Sequence, residues 1–263
     1  MRDQTNKVKA SVIVVNFNNS KYIERCIKSL KKQSYKNLEI IFVDDHSTDN
    51  SISVIKKFKK IKILKTSKKT NYGSLNQINA CKKGISKSQG KIIFFLDSDD
   101  YFKKNKIKEI LEIYQANKKL NAIFDLPILK YNEKNVYVNK KKKLIKNFWP
   151  YIPPQSCISV RRNYLNKIFK NIKYKRFPDI WMDFRIAIYL KYITKSFFVL
   201  NNNLTYYRQS SNTISSNFKF LSYQWWKRRK QAHEYIVYYF KKNNIPYKKN
   251  FDFYLTSLIN KLL

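Results

Sequence analysis

Acid is scarce in this sequence: 17 Asp and Glu stand against 55 Lys and Arg in 263 residues, a formal charge of +38. Glycine occurs three times, as Gly73, Gly84 and Gly90, histidine twice and cysteine three times. The shortage of glycine disfavours two nucleotide-binding classes at once. No G-x-G-x-x-G follows the first apolar run and no G-x-x-x-x-G-K-[ST] exists, so neither a dinucleotide-binding dehydrogenase nor a P-loop NTPase is expected. Cys26, Cys81 and Cys157 lie far apart without a C-x-x-C pair. That excludes zinc-ligand spacing and a disulfide framework, and marks them as buried apolar residues of a reducing compartment. No uncharged apolar run reaches the about 18 residues of a membrane span, and Met1 to Ala10 lack the apolar core of a signal peptide. A cytoplasmic protein is expected, or one held peripherally on the inner face of the cytoplasmic membrane.

Apolar material is plentiful. Hydrophobic residues make up 43% of the chain and aromatics 16%, too much for a disordered protein. The positive charge would draw the chain to any polyanion, but Lys and Asn are over-used throughout, so charge alone ranks partners poorly. Periodicity says more. Ser11 to Val15, Leu38 to Val43, Ile61 to Leu64, Lys91 to Leu96 and Ala122 to Leu126 read as buried strands. Helical stripes alternate with them: Tyr22, Ile23, Cys26, Ile27 and Leu30; Ile52, Ile55 and Phe58; Leu75, Ile78 and Ile85; Ile107, Ile110, Leu111 and Tyr114. This βα alternation predicts an α/β fold with a doubly wound, mainly parallel sheet flanked by helices. Ligands of such sheets sit beyond the carboxyl ends of the strands. The loops to inspect are therefore Asn16 to Asn19, Asp44 to Asp49, Thr66 to Ser74 and Asp97 to Asp100.

Two of these loops are acid-rich in a chain short of acid. Asp97, Asp99 and Asp100 crowd at one strand end, and carboxylates so close repel one another unless a cation lies among them. Hard oxygens suit Mg2+ or Mn2+, which keep positions open for phosphate oxygens. A plainer role is an acidic helix start, since Asp99 and Asp100 precede a helix from about Lys104 and favour its dipole. The cluster of three favours the metal. A nucleotide whose diphosphate is held through that metal fits a chain without a glycine-rich loop.

Three segments, in order and each at a strand end, carry a family resemblance: Ser11-Val-Ile-Val-Val-Asn-Phe-Asn18, Val43-Asp-Asp-His-Ser-Thr-Asp49 and Leu96-Asp-Ser-Asp-Asp100. Together they resemble family 2 of the inverting GT-A glycosyltransferases, over residues 9 to 126 and more loosely to about 217. The resemblance implies a GT-A fold with a nucleotide-sugar site. Val14, Val15, Asn16 and Phe17 would cradle the base, and Asp44 and Asp45 would recognise base and ribose. A carboxylate at Asp45 suits an N–H of uracil, so a UDP-sugar is the expected donor. Ser98 stands among the metal acids Asp97, Asp99 and Asp100 and is expected at the donor. Asp49 reads as a helix cap. Asn71-Tyr-Gly73 and Asn79 match the family's third loop and the helix after it, whereas Asn76 and Gln77 stand where a basic residue is common.

After residue 112 the carboxylate side chains are Asp125, Glu133, Asp179, Asp183, Glu234 and Asp252. In Phe177-Pro-Asp-Ile-Trp-Met-Asp-Phe-Arg185 the resemblance aligns Asp183 with the family's acid at a helix start. It is the expected catalytic base, because an attacking hydroxyl must lose its proton. Met182 stands where a Glu is usual, and Asp179 is placed to share its role. Leu204-Thr-Tyr-Tyr-Arg208 and the stretch from Gln209 to Ser215 resemble the family's closing motif, which would bring Arg208 to the donor diphosphate.

The expected organisation is a glycosyltransferase domain over 1–216, with a nucleotide-sugar half of about 9–126 and an acceptor half of about 127–216. A C-terminal helical extension, 217–263, carries Trp225, Trp226, Lys227 to Lys230 and Tyr235 to Phe240. It suits an interfacial helix on an anionic membrane, and equally a helix whose aromatics pack on the core. The Lys140 to Lys143 run reads as a loop on the acceptor side. The expected reaction is metal-dependent, inverting sugar transfer to a hydroxyl of a glycan or lipid-linked saccharide. Two other classes stay open. A basic nucleic-acid-binding protein would use the charge, though no such motif appears and no nucleic-acid partner is expected. A sugar nucleotidyltransferase would share the metal, though its glycine-rich phosphate loop is missing.

Overall fold

The computed structural model describes residues 8–132, 134–139, 152–172, 175–209 and 218–263. The Lys140 to Lys143 run and nearly all of the Gln209 to Ser215 stretch lie outside the described residues. The apolar runs become strands β1 (Ala10–Asn16), β2 (Leu38–Asp44), β3 (Lys62–Lys65) and β4 (Ile92–Asp97). The stripes become helices α1 (Ser20–Lys31), α2 (Ser51–Lys56), α3 (Gly73–Lys87) and α4 (Lys106–Ala116), with a short strand β5 (Tyr101–Phe102) before the last. Then follow β6 (Ala122–Tyr131), β7 (Lys134–Tyr137), β8 (Ile158–Arg161), α5 (Arg162–Asn171), α6 (Met182–Ile188) and β9 (Val199–Gln209). Helices α7 (Tyr223–Lys242) and α8 (Phe251–Leu262) end the chain.

The strands form one sheet in the order β3-β2-β1-β4-β8-β6-β9-β5, with β7 paired to β6. The first four are parallel, in the register Ala10 with Leu38 and with Ile92, and Ile41 with Lys62. A mixed, mainly parallel sheet flanked by helices is the GT-A arrangement expected from the sequence. One detail differs. The fifth apolar run does not lie beside β4, because β8 inserts between β4 and β6 and runs antiparallel to both. β8 is only Ile-Ser-Val-Arg, too short to stand out as a periodic run. Beyond it β6 pairs with β9 in parallel, Lys130 opposite Arg208, and β9 reaches back to β5, Tyr101 opposite Tyr206. This pairing carries Arg208 to the loop after β4.

Alternation along β1 splits the core over the two sheet faces. Val12 and Val14 join Ile23, Ile27, Phe42, Phe94, Ile107 and Ile110 under α1 and α4. Ile13 and Val15 join Ile41, Val43, Ile78, Phe95, Leu165 and Ile186 under α3, α5 and α6. The three cysteines are buried and free. Two of the rare glycines sit where backbones nearly touch. A Cβ at Gly84 would press into Ile13, and one at Gly90 would collide with the backbone of Ala10 and Ser11.

The extension is not merely appended. Tyr235, Ile236, Tyr239 and Phe240 of α7 share a third apolar cluster with Phe177, Ile180 and Ile188, so α7 buttresses the segment that leads into α6. That decides the alternatives for Tyr235 to Phe240: those aromatics pack on the core. α8 instead leaves Phe251 80%, Leu258 55% and Leu262 78% exposed. Among the described residues, no helix is long and apolar enough to cross a membrane.

Candidate active site

Side-chain bonds stitch the loops at the carboxyl ends of the parallel strands. Asn16 Nδ2 donates to Asp44 Oδ1 at 3.0 Å and to Ser47 Oγ at 2.9 Å, while its Oδ1 accepts from Ser98 Oγ at 2.7 Å. Asp44 Oδ2 accepts from the Ser47 amide at 3.0 Å. Asn18 and His46 hold the left-handed backbone these turns need, at φ of 51° and 58°. Asp49 accepts from the amides of Ser20 and Ser51, so one carboxylate caps the starts of both α1 and α2.

This stitching shows where the expected donor-contact residues stand. Val14 is fully buried and Val15 nearly so in the two core faces, so a contact of theirs with a base would come through the backbone. Asn16, Asp44 and Ser98 are fully buried and bonded to one another or to Ser47; they build the loop floor. Asp45 differs, because Thr66 engages only its Oδ1, at 2.7 Å. Phe17 is half-buried, with Lys69 Nζ 3.9 Å from its ring centroid. Asn71 is exposed, Gly73 opens α3, and Asn79 is half-buried. Asn76, where the family commonly has a cation, folds the third loop instead through three 2.8 Å bonds with Thr70.

The acid loop divides sharply. Asp100 turns inward: its Oδ1 accepts the Arg208 amide at 2.8 Å and its Oδ2 the Ser156 hydroxyl at 2.5 Å. Asp97 Oδ1 accepts from Gln155 at 2.8 Å and from Gln77 at 3.4 Å, and its Oδ2 has no bonded partner among the described residues. Asp99 meets Arg208 Nη2 at 3.2 Å. Burial, the charge of Asp99 and, further down, that of Asp183 push the Asp97 carboxyl up to about 7. Burial also raises Asp99, against the pull of Arg208. A metal held by Asp97, Asp99 and Asp100 together was expected. Among the described residues no group of three or more His, Cys, Asp or Glu side chains is arranged to hold an ion, and each oxygen of Asp100 accepts a bond within the fold. Asp97, with its Oδ2 open, and Asp99, held by Arg208, still fit Mg2+ or Mn2+, which use one or two protein carboxylates together with substrate phosphates. A second observation agrees. The guanidinium of Arg208 lies 3.9 Å above Tyr22, and its Nε is buried without a partner among the described residues, a donor left for an anionic oxygen.

Beneath the acid loop lies a network that the motif reading missed. Lys106 and Asp125 form an ion pair at 2.7 Å with both side chains fully buried. Lys106 Nζ donates to the Ser156 carbonyl at 2.8 Å and to Thr205 Oγ1 at 2.6 Å, and that hydroxyl donates to Asp125. Ser156 in turn bonds Asp100 and accepts from the Asp97 amide at 3.0 Å. A lysine among 55 Lys and Arg carries no sequence signal for such a place; Asp125, a rare acid inside an apolar run, was the available hint.

Asp183 stands in the first turn of α6, half-buried, with its Oδ1 accepting the Phe184 amide at 2.7 Å. Burial raises its carboxyl, and Arg228 of α7 works against that shift. Asp179 is tied to α7, because Gln231 donates to its Oδ2 at 2.6 Å and accepts its amide at 3.0 Å. The turn before α6 is fixed by Arg185, fully buried, which donates to the carbonyls of Ile180, at 2.8 Å, and Phe177. Asp183 and Asp97 thus lie within reach of each other's charge.

The sheet order, with acids and an arginine gathered at its strand ends, is a GT-A arrangement. The chain belongs to glycosyl transferase family 2, whose model matches residues 11–185. An uncharacterized glycosyltransferase of a Nostoc species is 32% identical over 220 residues, 76% of this chain and 65% of that protein. The UDP-Glc:alpha-D-GlcNAc-diphosphoundecaprenol beta-1,3-glucosyltransferase WfaP of Escherichia coli is 30% identical over 218 residues, 79% of this chain and 80% of its own. The crystal structure of S. aureus TarS with UDP superposes with a TM-score of 0.65 at 18% identity, over 87% of this chain and 65% of that one. This chain thus spans about 65% of the Nostoc relative and of the solved chain.

Proposed function

We propose that the chain transfers a sugar from a nucleoside-diphosphate sugar, a UDP-sugar, to a hydroxyl of a glycan or lipid-linked saccharide, with a divalent metal and inversion at the anomeric carbon. The observation that carries this reading is the pair Asp97, with one oxygen lacking a bonded partner among the described residues, and Asp99, held by Arg208, whose Nε is buried without a partner there. A bound Mg2+ or Mn2+ would supply Lewis-acid stabilisation of the leaving diphosphate. Asp97 and Asp99 would hold it, and Asp100 would keep their loop in place. Arg208 Nε would donate to a diphosphate oxygen. Asp45, with one oxygen uncommitted among the described residues, would accept from the base, and Phe17 would cover it. Asp183 would take the acceptor's proton as its oxygen attacks, since a carboxylate raised by burial is the stronger base.

Two names support the donor and acceptor classes: TarS has been solved with UDP and with UDP-GlcNAc, and WfaP is named for UDP-Glc and a diphosphoundecaprenol-linked sugar. The exposed face of α8, in a chain of charge +38, supports peripheral docking on an anionic bilayer. Co-sedimentation with phosphatidylglycerol vesicles checks this: Leu258→Asp should weaken it, and equal binding to neutral phosphatidylcholine would contradict it.

The test of the donor site is a thermal-shift panel of nucleoside diphosphates with Mn2+, Mg2+ or EDTA. Stabilisation by UDP that needs metal and is lost in Asp99→Asn is the expected result. No response to any nucleoside diphosphate would overturn the donor reading.

A further inference from the structure

Helix α7 does more than buttress α6. Between them lies a cavity of about 310 Å3, lined chiefly by Ile180, Trp181, Phe184, Trp225, Arg228 and Arg229. Ligand pockets run from roughly 300 to 1,000 Å3 and are mostly apolar with a few placed polar groups, so this one suits a single sugar unit with one substituent. Asp183 lies between Trp181 and Phe184 in sequence, and the charges of Arg228 and Asp183 act on one another. The cavity therefore belongs to the base's side of the cleft.

The two arginines in its wall differ. Arg229 is committed, its guanidinium bonded to Asp252 Oδ1 at 2.5 and 3.1 Å. Arg228 forms no salt bridge among the described residues. Its guanidinium is clasped between the rings of Trp181 and Phe218, 4.7 Å from each centroid, and those rings meet edge-to-face at 6.1 Å. Aromatic faces hold a guanidinium by cation–π attraction and leave its N–H edge to other acceptors; the charges of Asp183 and Asp179 act on it as well. Burial lowers the group only to about 10, so it stays charged near neutral pH. A neutral saccharide has no need of a desolvated, orientated cation; a phosphate is the group its fork of donors fits.

We propose that this cavity is the acceptor subsite and that its ligand is a phosphorylated saccharide. The apolar face of the ring lies against Trp181 and Trp225, a hydroxyl reaches Asp183, and the phosphate takes the edge of Arg228. The proposal rests on Asp183 as base. In the transfer the acceptor oxygen bonds to the anomeric carbon, the bond from that carbon to the nucleotide's diphosphate breaks with its electron pair, and the proton passes to Asp183. The phosphate is not consumed; it positions.

The experiment is calorimetric titration of the full chain in saturating UDP and Mg2+, so that the donor site is filled. The probes are the 1-phosphates of glucose, galactose and N-acetylglucosamine, the same sugars unphosphorylated, and the corresponding farnesyl diphosphate conjugates. At least one 1-phosphate should bind ten-fold or more tightly than its free sugar. Arg228→Gln should erase that preference, and Arg228→Lys should restore part of it. Further tightening by the farnesyl conjugate identifies a lipid-linked acceptor, and equal affinity a soluble sugar phosphate; both support the site. Equal binding of sugars and their phosphates, or a preference that survives Arg228→Gln, overturns it. If Arg228→Gln does not fold, displacement by inorganic phosphate in the unaltered protein decides: competition supports the site and indifference overturns it. The metal-dependent UDP shift of the unaltered chain scores the donor reading separately.

Discussion

The two walls of the cleft are built on opposite plans. The donor wall is made of loops that directly follow the parallel strands β1, β2 and β4, tied edge to edge by Asn16, Asp44, Ser47 and Ser98. The acceptor wall gathers α6, the turn before it and α7, joined by an apolar cluster and by Arg185. The donor wall holds more acid than it neutralises, in Asp97 and Asp99; the acceptor wall holds an arginine without a salt bridge among the described residues, Arg228. Each leaves a charge for a ligand to complete.

That contrast can be broken from either side. The largest effect is expected at the acceptor wall, where Asp183→Asn should lower kcat by about 10²- to 10⁴-fold, with a much smaller change in KM for the donor. Steady-state kinetics with each substrate varied separates the two. Beneath the donor wall, Lys106→Met should cost about 3–5 kcal/mol because it strands the Asp125 charge in the core. Denaturant unfolding measures this, and the double variant Lys106→Met with Asp125→Leu should recover much of it. Asp99→Asn should lower turnover by about 10²- to 10³-fold, matched by chelation with EDTA, while its melting temperature stays level or rises as repulsion in the acid loop is relieved. A metal-independent activity that survives in this variant would count against a metal on the donor wall.

The smallest effect is local. Asp49→Ala should cost about 1 kcal/mol through the loss of a cap. Burial raises the Asp49 carboxyl, but bonds from Ser51 and Ser20 outweigh it and hold the group below the usual range. With its folded pKa below the unfolded value of about 3.9, its stabilisation is present above about pH 4 and lost as pH falls through the folded value. The unfolding midpoint of the unaltered chain should fall there more steeply than that of Asp49→Ala.

Much of the donor wall was legible because its elements are local. A strand, its loop and the next helix are contiguous, so apolar periodicity gives the element and the residues after it give the loop. What periodicity does not give is the direction of a side chain in a loop. Asp97, Asp99 and Asp100 look alike in sequence, yet Asp100 bonds inward to Ser156 and Arg208, which come from parts of the chain more than 50 residues away. Nor does periodicity say that Val14 and Asn16 would be fully buried on β1, with Asn16 bonded to Asp44 and Ser98. The acceptor wall was barely legible. Asp183 entered by resemblance alone, and Arg228 was one of a basic run whose members Arg228, Arg229 and Lys230 meet different fates in the fold.

The sequence by itself determined a parallel α/β half, the strand-end loops, the concentration of acid in one of them and the absence of a glycine-rich phosphate loop, because these follow from contiguous patterns of side-chain chemistry. Only the tertiary structure decided which acids face the cleft, that β8 and β9 bring Ser156 and Arg208 to them, and that α7 sets Arg228 beside Asp183. Those depend on strand order and helix docking, where residues far apart in the chain settle burial, and burial decides which charges the fold satisfies and which it leaves for a ligand.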